Sequence, residues 1–493
     1  MRGCVAMNVS NVVVRSTVVS QEEVAATRRP TAQAATLPGR VFHDSAVFAL
    51  ERDAWFMRDW LCVGRAEEAA APGDYFLFTF GIESVIIVRG RDGALRAFRN
   101  VCRHRGARLV EEPSGNLVRF QCPYHAWIYD LQGQLRPPRY TQALEDFECA
   151  AFGLYPVRLE TSHGFVFISF AAKGEPLDAV LGTLPETFAR YPLSELRQAV
   201  RLEYAVNANW KALMENYSEC YHCPGVHPLL NHLTPYNLGG YLSGEGRWAG
   251  SWMELVGEHE TLSMDGKAHG RPPLLGTRPE DLNRVYYAWI WPNLLFSLHP
   301  DYLMTHQVWP LDAERSEVIC TLYFHPDTMA LPDFDPSGPA QFWDLTNQQD
   351  WHVCELQQAG THSAAYITCT SVMITSTVSP SSLTRAVSVV CSENERPNAA
   401  TTLAVELFMR NPARSTLQRG WLRPRPDLAL IRAPFSVTER FDDMRFLTHP
   451  ARLNASDVAR DATEYDSESV DRHMLAWSGY PRRAISAGTM SSE

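Results

Sequence analysis

The residues with the most specific chemistry are two cysteines and two histidines in the order C-x-H and C-x-x-H: Cys102, His104, Cys122 and His125. Two thiolates on one iron and two imidazoles on the other form the ligand set of one kind of [2Fe–2S] cluster, which is reduced more easily than an all-cysteine cluster. Zinc is the alternative, but zinc sites more often pair like residues, as C-x-x-C or H-x(3–5)-H. The mixed pairs therefore favour the iron–sulfur cluster.

A second group of possible metal ligands follows the pattern Glu219-x-x-His222-x(4)-His227. Pro224 and Gly225 break the preceding helical pattern and allow the chain to fold back, so that the two histidines can meet. Two imidazoles and one carboxylate on one face are the ligands of a mononuclear Fe(II) oxygenase. The alternative is a loop with two surface histidines.

The carboxylate of this second site should come from a distant helix. Asp350, in the segment TNQQDW, is the predicted third ligand. Asp344 lies six residues earlier and would face another direction on the same helix. The alternative for Asp350 is an exposed helix carboxylate.

Cys220 and Cys223 frame His222 as a C-x-x-C pair. A four-ligand zinc site would need a second such pair, and the sequence has none in position to complete it. We therefore expect these cysteines to be small residues that pack the ligand turn.

The elements that must position these residues indicate an α+β chain. A helical entry segment is expected over 37–59, short antiparallel strands and turns over 60–175, and helices with long strands over 176–368. The clearest helix is predicted over Asn209–Tyr221, and another over Phe342–Gln358. The first strand-rich region would carry the cluster at its edge and the second would carry the mononuclear site.

The two metal motifs, in this order, resemble those of the oxygenase (alpha) subunits of Rieske non-haem iron oxygenases. The resemblance covers roughly 37–368, and four segments carry it: NVCRHRGARL, CPYHAWIYDLQGQL, NWKALMENYSECYHCPGVHP and TNQQDWHVCELQQAG. It implies an antiparallel β Rieske domain followed by a helix-grip catalytic domain. The ECYHC and FWDLTNQQDW segments look most like those of the glycine-betaine monooxygenase and stachydrine demethylase group.

The resemblance also implies partners and roles. Family members are typically homotrimers in which the cluster of one subunit supplies the iron of the next. Glu219 would then join His125 of the partner subunit to His222, and Asn216 would lie close to the iron. The chain shows no G-x-G-x-x-G after a strand and no flavin or plant-type ferredoxin motif, so electrons from NAD(P)H should arrive through a separate reductase.

The implied reaction uses O2 to hydroxylate a small organic substrate, with a quaternary ammonium N-methyl group as the first expectation. Aromatic ring dihydroxylation is the alternative, and an electron-transfer protein with an inactive second domain is an alternative of another class. Aromatic residues in the second domain could surround a cation or a flat ring: Trp252, Tyr287, Trp289, Trp291, Phe296 and Trp309.

Composition excludes some partners and compartments. The chain has 493 residues and a formal net charge of −11, which disfavours nucleic acid or an anionic membrane surface. No long apolar run predicts a membrane span, and eleven cysteines do not form a disulfide scaffold, so a cytoplasmic location is expected.

The two ends of the chain do not fit this pattern. Residues 1–36 have some character of a transit peptide, but a disordered extension is favoured. Residues 369–493 form an atypical tail that does not resemble the family's closing helix. A divergent domain or a shifted reading frame would explain it.

Overall fold

The structure, a computed structural model, describes residues 19–27, 29, 35–139 and 147–366. The expected atypical tail, 369–493, lies outside these residues, as does much of the expected disordered extension, 1–36. Within that extension, however, Gln21–Thr27 form helix α1. Glu23 of this helix accepts a 2.5 Å hydrogen bond from Arg40, so an ion pair holds this part of the extension to the entry segment.

The entry segment is helical. A 3-10 turn over Gly39–Phe42 leads into α2, Ser45–Glu51, and a π turn over Arg52–Phe56. Asp44 caps α2 by accepting a hydrogen bond from the amide of Ala46, which satisfies one otherwise free N–H group.

The first sheet is antiparallel and has seven strands in the order β1-β9-β8-β4-β3-β2-β5. Its strands are β1 Leu61–Arg65, β2 Asp74–Phe80, β3 Glu83–Arg89, β4 Leu95–Arg99, β5 Ser114–Asn116, β8 Pro156–Ser162 and β9 Phe165–Ser169. A separate pair, β6 Phe120–Gln121 and β7 Ile128–Tyr129, forms a short hairpin. This hairpin and the β4–β5 connection carry the four predicted cluster ligands.

The second sheet is also antiparallel, in the order β10-β16-β15-β14-β13-β12-β11. Its strands are β10 Arg197–Val206, β11 Gly239–Leu242, β12 Trp248–Glu254, β13 Arg284–Ile290, β14 Leu294–Leu298, β15 Leu303–Pro310 and β16 Ser316–Phe324. The sequence predicts long strands over Val285–Trp291, Leu294–Leu298, Tyr302–Trp309 and Glu317–Phe324, which match the last four strands closely. It does not predict β10, whose alternating polar pattern reflects one exposed face.

Seven helices accompany the second sheet among the described residues. They are α3 Leu177–Leu181, α4 Leu184–Phe188, α5 Trp210–Tyr217, α6 Cys223–Val226, α7 Pro228–Leu233, α8 Pro326–Met329 and α9 Ser337–Thr361. The predicted Asn209–Tyr221 helix is too long at its C-terminal end, since α5 ends at Tyr217. At the next residue, the Ser218 hydroxyl bonds the Met214 carbonyl at 2.6 Å. Such side-chain bonds compete with continued helix.

The α+β fold, with an N-terminal antiparallel β region and a second region of helices and antiparallel sheet, is confirmed.

A buried ion pair that the sequence did not predict joins α2 to α5: Lys211 Nζ lies 2.8 Å from Glu51, and both side chains are 1% exposed. None of the helices within the described ranges is long and apolar enough to cross a membrane.

Candidate metal centres

The two loops that carry the predicted cluster ligands share one backbone frame. In the first loop, the amide of Cys102 donates to the carbonyl of Ala107, and the amide of Gly106 donates back to Cys102. The second loop repeats these bonds from Cys122 to Trp127 and from Ala126 to Cys122. Each loop turns through a residue of positive φ, 73° at Gly106 and 56° at Ala126.

This shared frame places the four side chains in two layers. Both cysteines are 2% exposed, whereas both histidines are exposed, and the rings of His104 and His125 lie 4.5 Å apart. A cluster held in this way would have its thiolate-bound iron inside and its imidazole-bound iron at the surface. The donor set and its layering fit the mixed [2Fe–2S] cluster.

Tyr129 is a further polar contact at this centre, and sequence analysis did not single it out. Its hydroxyl lies 3.4 Å from Cys102 Sγ and accepts a 3.1 Å hydrogen bond from the amide of Arg103. Burial, followed by the neighbouring Cys102 sulfur, raises the pKa of Tyr129, so the phenol retains its proton for the sulfur. On the outer side, the ring of Trp127 stacks on that of His104 at 4.9 Å.

The second centre brings together His222, His227 and Asp350, whose ligand atoms all lie within 4.8 Å of one another. Asp350 Oδ1 is 2.7 Å from His227 Nε2 and 3.4 Å from His222 Nε2. The short α6, with Pro224 in its first turn, separates the two histidines. His222 thus precedes α6 rather than ending α5, and the predicted chain reversal is present.

Each of these histidines has an oxygen acceptor at its other nitrogen. His222 Nδ1 lies 2.8 Å from Glu219 Oε1, and His227 Nδ1 lies 2.8 Å from Gln349 Oε1. An oxygen acceptor there holds the proton on Nδ1, which leaves Nε2 free as a metal ligand. Two Nε2 lone pairs and a carboxylate that face one space fit a divalent cation such as Fe(II).

The charges in this space affect one another strongly. Burial alone would raise the pKa of Asp350, but His227 and His222 hold that pKa well below its usual value. Burial opposes a charge on His222, yet Asp350 and Glu219 raise its pKa to about 10. A metal ion must therefore displace a proton from this ligand set.

Asn216 and Asp344 were also considered in the sequence, and only Asn216 lies at this centre. Asn216 Nδ2 lies 3.5 Å from His222 Nε2, close to the same centre. Asp344 faces elsewhere on α9, where it accepts hydrogen bonds from Tyr204 and Gln348 at 2.9 Å. The contact of Gln349 was missed, although an amide directly before the predicted ligand was a possible signal.

Cys220 and Cys223 form a disulfide, with Cα atoms 5.0 Å apart. The expectation that they are simply small packing residues is therefore wrong in part. Three-residue spacing in the turn brings the two sulfurs together. Cys223 is still buried, at 2% exposure.

A cavity opens beside the three clustered ligands. Its lining includes five aromatic residues and two carboxylates: Tyr217, Tyr236, Trp252, Tyr287, Trp343, Glu219 and Asp350. Of the six aromatic residues considered in the sequence, only Trp252 and Tyr287 line it. The other four, Trp289, Trp291, Phe296 and Trp309, lie in hydrophobic cores.

Comparisons with known families match both halves of this architecture. Residues 59–148 match the Rieske [2Fe-2S] domain, and residues 193–398 match the ring hydroxylating alpha subunit catalytic domain. The chain is 33% identical to the glycine betaine monooxygenase oxygenase subunit of Chromohalobacter salexigens over 67% of this chain and 80% of the relative. The chain belongs to the Rieske non-haem iron oxygenases.

Other relatives agree with this membership. The oxygenase is 30% identical to the carnitine monooxygenase oxygenase subunit of Escherichia coli K12, over 68% of this chain and 86% of that protein. Among solved structures, it superposes on the quaternary ammonium Rieske monooxygenase CntA in complex with L-carnitine with a TM-score of 0.59 at 26% identity, covering 71% of this chain and 91% of CntA. Naphthalene 1,2-dioxygenase with bound indole, at 23% identity and a TM-score of 0.58 over 76% and 95% of the two chains, shows the same fold.

Membership identifies the cofactors. The oxygenase uses a [2Fe–2S] Rieske cluster and a mononuclear iron, and the two donor sets described above fit these groups in type and burial. In this family an oxygenase subunit works with a separate reductase. The assignment of individual ligands stays a prediction.

Proposed function

We propose that the chain is the oxygenase component of a system that hydroxylates an N-methyl group, or a carbon next to nitrogen, in a quaternary ammonium compound. The observation that carries this proposal is the cavity lined by aromatic rings and two carboxylates beside His222, His227 and Asp350. The relatives named for glycine betaine and carnitine support the same substrate class.

The lining suits a permanent cation. A trialkylammonium group cannot donate hydrogen bonds, so a site recognises it through the negative faces of aromatic rings, at about 0.5–2 kcal/mol per ring. Tyr287 and Trp343 offer such rings. Asp350 and Glu219 would offset the charge of the bound metal, so that the cationic substrate does not meet an uncompensated positive charge.

The proposed reaction consumes one O2, two electrons and two protons for each substrate C–H bond that is hydroxylated. One oxygen atom enters the C–H bond and the other leaves as water. The hydroxyl group on the carbon bound to quaternary nitrogen then loses its proton as the C–N bond breaks, giving an aldehyde, a tertiary amine and a proton. When bound, the cluster supplies electrons one at a time and the mononuclear iron activates O2.

The residues of the chain have separate tasks in this scheme. His222, His227 and Asp350 would hold the iron, and Cys102, His104, Cys122 and His125 would hold the cluster. Glu219 holds the Nδ1 proton of His222, while Asn216 lies beside His222 Nε2 and lines the cavity. The aromatic wall would exclude water and orient the cation so that one methyl group faces the three ligands.

We further propose that electrons pass between subunits of a homotrimer, with Glu219 joining His222 to His125 of the partner subunit. His125 is exposed, and Glu219 is on the cavity side with one oxygen on His222. Inter-subunit electron transfer has been described for a quaternary ammonium Rieske monooxygenase that is 25% identical over 71% of this chain with a TM-score of 0.58. We also propose a cytoplasmic location. The proposed domain boundaries lie between residues 59 and 60, 175 and 176, and 368 and 369.

The test is NADH- or NADPH-coupled oxygen consumption with a suitable reductase, using glycine betaine, carnitine, choline and simple arenes, with aldehyde measured alongside. The proposal expects consumption matched to aldehyde for at least one quaternary ammonium compound. Turnover of arenes to diols, with none of the ammonium compounds oxidised, would contradict it. Tyr287→Leu should raise KM for the ammonium substrate, while the matched Tyr241→Leu, at an exposed strand position, should not.

A further inference from the structure

The contact between Gln349 and His227 has a function in the second centre. The Gln349 amide oxygen lies 2.8 Å from His227 Nδ1, and His227 is 1% exposed. We propose that Gln349 is a positioning residue that keeps the proton of His227 on Nδ1 and so presents a bare Nε2 to the metal. This inference rests on the proposed ligand role of His227.

Two consecutive residues of α9 hold the two sides of this one imidazole. Gln349 contacts Nδ1, and Asp350 Oδ1 lies 2.7 Å from Nε2. The ring is thus fixed in position and tilt by a single helix. A neutral imidazole has one proton for two nitrogens, and both nitrogens of His227 face an oxygen. When a metal takes both Asp350 and Nε2, the proton must lie on Nδ1, where Gln349 accepts it.

The helix itself is fixed at this turn. Asn347 is 1% exposed, accepts a hydrogen bond at 2.9 Å from His306 Nε2 and donates to Tyr204. These bonds fix the rotation of α9 about its axis. The amide of Gln349 is therefore presented to His227 by a rigid element, as a positioning contact requires.

The choice of an amide also balances charge. Glu219 and Asp350 bring two negative charges to the site, which offset those of a divalent ion. A carboxylate at position 349 would add a third charge in a buried region, where an unpaired charge is costly. An amide oxygen fixes the proton without that excess, so the two histidines differ: a charged acceptor supports His222 and a neutral one supports His227.

The experiment measures Fe(II) affinity by anaerobic calorimetry, in protein that retains its cluster but has lost its mononuclear iron. Gln349→Leu removes the acceptor, and Gln349→Met removes it with an unbranched side chain if the leucine variant does not fold. Gln349→Glu keeps an acceptor, and its added buried charge should lower the stability of the protein rather than weaken its affinity for the metal. Gln348→Leu is the matched control, because the neighbouring amide bonds only Asp344 in the described contacts.

The proposal expects Gln349→Leu and Gln349→Met to weaken Fe(II) binding roughly 10–100-fold, while Gln349→Glu and Gln348→Leu bind within a few-fold of the parent. Visible absorption of the cluster should be unchanged in all four. Parent-like affinity in Gln349→Leu or Gln349→Met, or an equal loss in Gln348→Leu, would overturn it. His227→Ala separates the two proposals: if it also binds Fe(II) normally, the ligand assignment fails rather than the positioning role alone.

Discussion

Glu219 Oε1 lies 2.8 Å from His222 Nδ1, three residues further along the chain. The second oxygen of Glu219 accepts a hydrogen bond from the amide of Tyr221 at 2.5 Å. One carboxylate therefore fixes both a predicted iron ligand and the turn that carries it. A group in this position can affect electron delivery without touching substrate.

Replacing Glu219 with Gln tests this role. The amide can still accept a hydrogen bond from His222, but it lacks the negative charge that would link His222 to His125 of the partner subunit. Oxidation of the reduced cluster in a single turnover should therefore slow about 10–100-fold. Stopped-flow absorbance of the cluster measures the rate, and Fe(II) content should remain normal. The exposed Glu203→Gln serves as control, and cluster oxidation at the parental rate in Glu219→Gln would remove the bridging role.

Tyr129→Phe tests the hydrogen bond to the buried cluster ligand. The hydroxyl 3.4 Å from Cys102 Sγ stabilises the extra negative charge of a reduced cluster, so its removal should lower the reduction potential. An EPR-monitored redox titration measures the shift. Tyr155→Phe, at an exposed position, should leave the potential unchanged, and an unshifted potential in Tyr129→Phe would mean that this contact does not tune the cluster.

The buried pair of Glu51 and Lys211 predicts a large effect on stability. Lys211→Met leaves the Glu51 carboxylate without its partner and should cost about 3–5 kcal/mol of unfolding free energy. The double variant Glu51→Gln with Lys211→Met should recover much of this loss, because the amide still accepts a hydrogen bond from Trp210 Nε1, which bonds Glu51 at 3.0 Å. Denaturant unfolding measures both, and equal losses in the single and double variants would contradict the pairing.

Glu215 predicts a pH dependence of stability. Burial raises the pKa of this carboxyl to about 7, and Lys211 and Gln357 only partly oppose the shift. Its contribution to stability is full below pH about 4.5, where the unfolded chain is also protonated, and is lost as pH rises through about 7. Glu215→Gln should therefore stabilise the protein by up to about 3 kcal/mol at pH 8 and much less at pH 5.

Thermal unfolding at the two pH values, with Glu203→Gln alongside, checks this prediction. If Glu215→Gln stabilised the protein equally at pH 8 and pH 5, the effect would come from packing rather than from ionisation. Loss of stability at pH 8 would show that the ionised carboxylate has a favourable partner.

The sequence predicts some parts of this molecule better than others for physical reasons. Ligand pairs such as Cys102 with His104 are local, and strands covered on both faces, such as Leu294–Leu298, are almost entirely apolar. Both patterns can be recognised without a structure. The C-terminal end of α5 could not be predicted, because the helical pattern of the sequence continues to Tyr221 although the helix ends at Tyr217.

Contacts between residues that are distant in the sequence could not be predicted either. Gln349 meets His227, and Lys211 meets Glu51, only after the chain has folded. The aromatic strands illustrate the same limit, since Trp289 and Trp309 have the composition of a binding wall but point into a core. Tyr287 and Trp289 share one face of β13, yet only Tyr287 reaches the cavity, so the position along the strand matters as well as the face.

The most direct test of two separate metal centres is iron and acid-labile sulfide analysis of the parent, Asp350→Ala and the matched Asp344→Ala, with EPR of the dithionite-reduced cluster. The account predicts about three irons and two sulfides per chain in the parent and in Asp344→Ala, and about one iron fewer in Asp350→Ala with the cluster signal intact. An Asp350→Ala protein that keeps its full iron content, or a parent without a Rieske-type signal, would contradict it.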